Sequence, residues 1–238
     1  MKKANLSVVI SAYDEEENIE DLTERLLKVL PQISNDFEII YVVDGEDKTK
    51  EKIESFRSKN IKLIYNKTPL GLPAAFKIGF NNVSEHTEYV VTMDADLNHA
   101  PEELPNLLNK IIESGADITI GSRELEGSKV IDHPFLKRAL SKFTNILFSI
   151  LTGLNITDKT SGFRIYKKEA ILRLSNAYKS KDFEFVLELL LLAKKYKYSI
   201  NEVPITFTFR KKGKSKLDIL KVGIGYLKLL IHWQAGQL

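Results

Sequence analysis

Asp94, Ala95 and Asp96 follow the apolar run Tyr89-Val90-Val91-Thr92-Met93. That run has the β-branched content and the length of a short buried strand. Side chains alternate along a strand, so the two acids are expected on the same side with a small residue between them. Two carboxylates converging at a strand end make a hard-oxygen site for Mg²⁺ or Mn²⁺, ions that keep open positions for substrate phosphates. The plainer alternative is a solvated strand-to-loop transition, because Asp-x-Asp alone is a short pattern.

A second group of residues suits anions. Arg210-Lys211-Lys212-Gly213-Lys214-Ser215-Lys216 is either a solvated charge run or a loop that grips phosphate. Gly213 and the Lys-Ser-Lys pattern after it favour the loop.

Composition narrows the classes these residues can serve. With 238 residues the chain can bury one sizeable core, and 43% hydrophobic with 28% charged residues is an ordinary globular balance. A net charge of +3 is too small to argue for a nucleic-acid partner. There is no cysteine, which excludes disulfides and Cys-ligated zinc and fits a reducing compartment. Met1-Lys2-Lys3 leads into a strand-like run soon met by Asp14-Glu15-Glu16-Glu17, so no signal peptide is expected. No stretch reaches the about 20 apolar residues of a membrane-crossing helix.

The first half alternates strand-like segments, at 6–12, 37–43, 61–65, 88–93 and 117–121, with helical patterns at 16–31, 48–59, 73–83 and 101–114. Pro73 and Pro101 fall at first helical turns, where a missing N–H costs nothing. This alternation predicts an α/β fold with a mostly parallel sheet covered by helices, and ligands outside the carboxyl ends of its strands. The second half predicts a loop at 123–132, a long helix at 134–151, a compact polar segment at 158–164 and a helix at 183–196. A strand at 203–209, a basic loop and a final apolar helix complete it.

The motifs also carry a resemblance. Residues 7–16, Ser-Val-Val-Ile-Ser-Ala-Tyr-Asp-Glu-Glu, resemble the opening strand and loop of the family 2 inverting glycosyltransferases. Asp94 through His99 and Gly121-Ser122-Arg123 look like that family's metal motif and the arginine after its next strand. Thr160-Ser161-Gly162-Phe163-Arg164, Glu202-Val203-Pro204-Ile205 and residues 210–217 are similar to the dolichol-phosphate mannose synthase and polyprenyl-phosphate glycosyltransferase branch. The likeness runs in order over residues 6–217.

The resemblance implies a glycosyltransferase A-type fold, with 1–217 as the catalytic domain and 218–238 as a C-terminal amphipathic helix. It implies a nucleotide diphosphate sugar as donor, dolichyl or polyprenyl phosphate as acceptor, and inversion at the anomeric carbon. It places Ala12, Tyr13, Glu15, Asp44, Asp94 and Lys216 on the nucleotide sugar. Asp94, Asp96 and Asn98 fall on the metal positions; Asn98 stands where this branch often has glutamine. Arg138, Ser141 and Arg210 fall on the acceptor phosphate, as does Lys137, while Asp96, Arg123 and Arg210 take catalytic positions. Val43 departs from the family's first acid in its Val-Asp-Asp run, so the base is left open. Ser11 and Asp14 replace the usual proline and asparagine. His99 reads as a structural histidine, Asp158 as a residue that orients its loop, and Glu188 as a holder of arginine or backbone groups.

A phosphate acceptor is already anionic, so this chemistry needs no general base. Mannose is the expected sugar, with glucose and an N-acetylhexosamine as alternatives. From another class, a non-catalytic nucleotide-sugar or lipid-phosphate binding module also fits.

In the final helix, Lys221, Gly225, Lys228 and His232 share one stripe opposite a broad apolar surface. Such a helix lies either in a membrane interface or against its own domain or a partner. The expected place is the cytoplasmic face of a membrane, peripherally bound; the oligomeric state is left open.

Overall fold

The computed structural model describes residues 3–132, 134–209 and 218–238. Seven strands form the central sheet: β1 (Ala4–Tyr13), β2 (Ser34–Asp44), β3 (Ile61–Asn66), β4 (Tyr89–Asp94), β5 (Ile118–Ser122), β7 (Arg164–Lys167) and β8 (Ile200–Pro204). Their order is β3-β2-β1-β4-β7-β5-β8. Every neighbouring pair is parallel except those of β7, which runs antiparallel between β4 and β5. Two further short strands, β6 (Lys129–Ile131) and β9 (Thr206–Thr208), pair with each other in parallel.

The apolar runs are continuous because the sheet is covered on both faces. Val8, Ile10 and Ala12 of β1 pack with α1 (Ile19–Ile33) and α4 (Leu104–Ser114), the latter preceded by one 3-10 turn. Val9 points the other way, toward α3 (Leu72–Asn81), α6 (Lys168–Ala177) and α7 (Phe185–Lys195). Short α2 (Thr49–Ser55) sits beside α1, with Ile53 buried in the first of these layers.

Three expectations change. The polar-ended segment at 164–167 is a central strand, followed by α6, where neither was predicted. The run 203–209 is not one strand. Pro204 has no N–H to continue a ladder, so β8 ends there, and β9 starts at Thr206 in the second sheet. The predicted loop 123–132 contains β6.

Helices α5 (Phe135–Thr152) and α8 (Ile219–Gln234) lie together, with Phe148 and Tyr226 4.9 Å apart between ring centroids. Leu229 and Leu230 of α8 are buried in the core shared with α7. The outward strips differ: Phe135, Phe143 and Ile150 of α5 and Leu220, Leu227 and Ile231 of α8 are exposed, Phe135 at 86% and Leu220 at 77%. The apolar side of α8 thus divides into a buried strip and an exposed one. Among the described residues no helix is long and apolar enough to cross a membrane.

Candidate donor and metal site at the strand ends

The carboxyl ends of β1 and β2 are stitched together. The Glu15 N–H donates to Thr49 Oγ1 at 2.8 Å, and the Glu16 N–H to Asp47 Oδ2 at 3.0 Å. Lys48 returns its N–H to Glu16 Oε2 at 3.1 Å. Asp14 and Gly45 both take positive φ here, and a Cβ on Gly45 would strike the Asp14 carboxylate. Ala12 is buried beneath this turn and Tyr13 is exposed at its rim. Glu15 Oε2 accepts from Asn18 Nδ2 at 2.8 Å. Asp44 is buried, and its carboxylate accepts from Asn66 Nδ2 at 3.0 Å and the Leu70 N–H at 2.9 Å. Its visible work is to hold the loop leading into α3.

Asp94 is the last residue of β4, but Asp96 is placed differently from the strand alternation expected for it. The strand ends at Asp94, Leu97 is left-handed (φ 60°), and Asp96 lies in the turn between them. Its carboxylate is fixed by Asn98, whose N–H donates to Oδ1 at 3.1 Å and whose Nδ2 donates to Oδ2 at 2.7 Å. This is an Asx turn, the local hydrogen bond that competes with strand geometry. With its amide nitrogen on Asp96, Asn98 turns its oxygen elsewhere. Asn98 Oδ1 is buried and has no hydrogen-bond partner among the described residues. An orphaned hard oxygen beside a fixed carboxylate, with Asp94 at the strand end, is a donor set that suits Mg²⁺ or Mn²⁺.

Next in the chain, His99 is buried against Phe163 and Phe207, with ring centroids 5.2 and 5.3 Å away. Burial, reinforced by the charge of Arg123, pushes its pKa down to about 3. The neutral ring is a packing element, as its sequence position predicted.

Arg123 follows β5. Its Nε and Nη2 grip Asp158 at 2.7 and 2.8 Å, and Nη2 also donates to Thr160 Oγ1 at 2.7 Å. Its guanidinium carbon lies 5.3 Å from the Phe207 ring centroid. Asp158 is fully buried and also accepts from the amides of Arg123, Thr160 and Ser161. Burial raises the Asp158 pKa, but the Arg123 charge and these hydrogen bonds outweigh it and hold the carboxyl well below the usual range. Asp158 therefore orients its loop, and it positions Arg123 as well. Glu188 accepts from the amides of Lys179 and Ser180 at 3.0 and 2.8 Å, so it holds backbone.

Because β7 is antiparallel, the segment before it reaches the same rim. Thr92 Oγ1 donates to the Gly162 carbonyl at 2.6 Å, and a Cβ on Gly162 would stand 3.4 Å from Asp94 Oδ2. The sequence motif marks this segment but does not reveal what its basic residues do. Arg164 is buried, donating to the carbonyls of Val186 at 2.8 Å and Lys159 at 3.0 Å. It lines a cavity of about 60 Å³ with Asp94, Thr160 and Gly162. Lys159 is buried too; its ammonium donates to Asn145 O at 3.2 Å, Ser149 Oγ at 2.6 Å and the Ile156 carbonyl. Glu202 closes the segment's other end, accepting from the amides of Thr157 and Asp158 at 2.7 and 2.9 Å. A glutamate next to a Val-Pro pair was the available signal.

On α5, Arg138 is exposed and Ser141 half-buried. Arg210 and Lys216 lie outside the described residues, as do Lys211, Lys212, Lys214, Ser215 and the side chain of Lys137. The structure thus gathers Ala12, Tyr13, Glu15, Asp44, Asp94, Asp96, Asn98 and Arg123 around the carboxyl ends of β1, β2, β4 and β5.

This is an α/β fold of the glycosyltransferase A type. The chain belongs to glycosyl transferase family 2, whose model matches residues 7–174. It is 35% identical over 218 residues to the polyprenol monophosphomannose synthase of Mycolicibacterium smegmatis, covering 89% of this chain and 80% of that protein. It is 37% identical over 217 residues to the dolichol-phosphate mannosyltransferase of Pyrococcus furiosus, covering 89% of this chain and 59% of that one. Among solved structures, the fold matches glucosyl-3-phosphoglycerate synthase from Mycobacterium tuberculosis with phosphoglyceric acid, at TM-score 0.71 and 16% identity over 97% of this chain and 80% of that one. The same enzyme with Mn²⁺, UDP and phosphoglyceric acid gives TM-score 0.69 and 16% identity over 98% and 78%.

Proposed function

We propose that this chain transfers mannose from a nucleotide diphosphate sugar to a polyprenyl or dolichyl phosphate, with inversion at the anomeric carbon. The observation that carries the reading is the rim itself: a fixed carboxylate and an orphaned amide oxygen stand at the strand ends with Asp94 and Arg123, in a chain over a third identical to two polyprenyl-phosphate mannosyl enzymes by name.

The reaction joins two anions, so the site must supply positive charge. Asp94, Asp96 and Asn98 would hold Mg²⁺ or Mn²⁺, which when bound neutralises the diphosphate of the donor. Ala12, Tyr13, Glu15 and Asp44 line the nucleotide side, Asp44 by fixing the loop at Leu70. Arg123 presents a guanidinium whose Nε and Nη2 are committed to Asp158, leaving Nη1 for the departing phosphate. Arg138 and Ser141 of α5, with Arg210, receive the acceptor phosphate, and Lys216 the donor. The acceptor oxygen attacks the anomeric carbon, the bond to the diphosphate breaks, and no proton has to be removed from the nucleophile.

A polyprenyl tail does not dissolve in water, so the site must work at a bilayer surface. The exposed strips of α5 and α8 support peripheral docking there, on the cytoplasmic face.

The test is sugar transfer by the purified protein to a membrane lipid extract, with a panel of radiolabelled nucleotide sugars. Mannosyl lipid is the expected product. Glucosyl or N-acetylhexosaminyl lipid would reassign the donor, and no transfer at all would leave a binding module.

A further inference from the structure

A cavity of about 580 Å³ lies between α8 and the segment at 179–188, and it shares no lining residue with the small cavity under Asp94. Its floor holds Glu184, a residue only 8% exposed. Glu184 Oε1 accepts a long bond of 3.3 Å from the Lys181 N–H, while Oε2 is buried with no hydrogen-bond partner among the described residues. Helix α8 makes room for this carboxylate: a Cβ on Gly225 would stand 2.6 Å from Oε2. A glycine inside a helix weakens it relative to alanine. A buried carboxylate oxygen without a donor is costlier still. Both costs fall at one point of the structure, and both are offset if a ligand supplies the missing donor.

The surrounding charges define that ligand. Asp182 is taken by Lys221 at 2.6 Å and Glu188 by backbone amides, so Glu184 is the acid left for a partner. Lys179, Lys181 and Lys228 also line the cavity and make no ion pair among the described residues. A carboxylate at the floor asks for a cation with N–H groups, and ammonium groups around it ask for a phosphate. Ile224, whose neighbours along the helix surface are the exposed Leu220, Leu227 and Ile231, also lines the cavity. The ligand is therefore one that lies beside an apolar surface.

We propose that this cavity binds the headgroup of an aminoethyl phospholipid, its primary ammonium on Glu184 and its phosphate among Lys228, Lys179 and Lys181. The site rests on the reading that α8 docks on a bilayer, and it adds a structural lipid distinct from the polyprenyl substrate. A choline headgroup has no N–H to give and leaves Oε2 unpaired.

The test titrates the full chain with glycerophosphoethanolamine, glycerophosphocholine and inorganic phosphate, followed by amide chemical shifts. The ethanolamine ester is expected to bind at least about tenfold more tightly than either other probe, the loss that goes with one charge-assisted hydrogen bond. Glu184→Gln should remove that preference, and Lys228→Gln, on the exposed side of α8, should weaken the ethanolamine ester without touching the fold. Equal binding of all three probes, or none, overturns the proposal. Flotation with phosphatidylcholine vesicles, with and without phosphatidylethanolamine, separates the two readings. Vesicle binding that ignores ethanolamine sinks this site and spares membrane docking. A soluble headgroup bound by a protein that ignores every vesicle sinks docking, and with it the lipid as ligand.

Discussion

The Thr208 N–H donates to the Asn98 carbonyl at 3.0 Å, so the strand that leads to Arg210 is laid directly on the turn that fixes Asp96. His99 and Phe207 reinforce this junction with an antiparallel bridge and an edge-on ring pair. The turn at Asp96–His99 and the end of β9 are therefore bonded directly to each other.

Within this junction Asn98 holds the Asp96 carboxylate through two hydrogen bonds. Asp96→Asn is expected to lose turnover by about two orders of magnitude or more, the range for removing one electrostatic stabiliser of a reacting centre. Its circular dichroism should stay that of the parent, and chelator should abolish the parent's activity. Turnover indifferent to both treatments would remove Asp96 from the site.

Asp158 and Arg123 set an acid-side stability limit. The Asp158 pKa is lowered in the folded protein, so its contribution is complete above about pH 5 and is lost as pH falls below about 4, where the unfolded chain takes up the proton first. Asp158→Asn strands Arg123 without its counter-charge and should cost about 3–5 kcal/mol at neutral pH. Urea melts from pH 2 to 7 should show a flatter acid slope in the variant. An unchanged slope would assign the acid sensitivity elsewhere.

Lys159 ties α5, the helix of Arg138 and Ser141, to the loop of Asp158. Lys159→Met keeps the bulk and the backbone N–H on Asn145 Oδ1 but removes the ammonium bonds to Asn145 O, Ser149 Oγ and the Ile156 carbonyl, with a loss of about 1–3 kcal/mol in stability. The KM for acceptor should rise while that for donor stays. If both change together, the tie serves the whole domain rather than the acceptor helix.

Within the basic run, one arginine is expected to dominate. Arg210→Ala should lower transfer by about two orders of magnitude, because the transition state would go without a charge-assisted bond to phosphate. Lys212→Ala should leave transfer within about twofold of the parent, as expected for a solvated lysine. Equal effects at the two positions would mark the run as a solvated patch.

The outward strip of α8 can be tested apart from its buried one. Leu227→Ser with Ile231→Ser leaves Leu229 and Leu230 in the core, so the melting temperature should hold while vesicle flotation falls. Flotation equal to the parent would place the bilayer contact on other residues.

The parallel strands were legible because burial on both faces leaves runs such as Val8-Val9-Ile10 without polar interruption. The strand at 164–167 was not: it is four residues long with charged ends, and only its place between β4 and β5 makes it a strand. The Asp94-Ala95-Asp96 motif falls at the end of β4 as its apolar run predicts, but an Asx turn rather than strand alternation sets Asp96. Arg123 and Asp158 each stand out in the sequence, yet their pairing spans 35 positions and no local pattern encodes it. Lys159 and Arg164 were hidden for a related reason. A buried cation looks like a surface one until its acceptors are known.

The reversed direction of β7 has a practical meaning for anyone who builds on this scaffold. Because the chain crosses the sheet backwards there, the segment before β7 joins the strand-end acids on one rim, and the exit from β7 into α6 lies on the other. The far rim, with exposed Glu85 and His86 between α3 and β4, holds none of the residues named above for chemistry. A fluorescent domain or affinity tag spliced at Glu85-His86 should leave the rim of strand-end acids and Arg123 untouched, so that transfer by the tagged protein matches that of the parent.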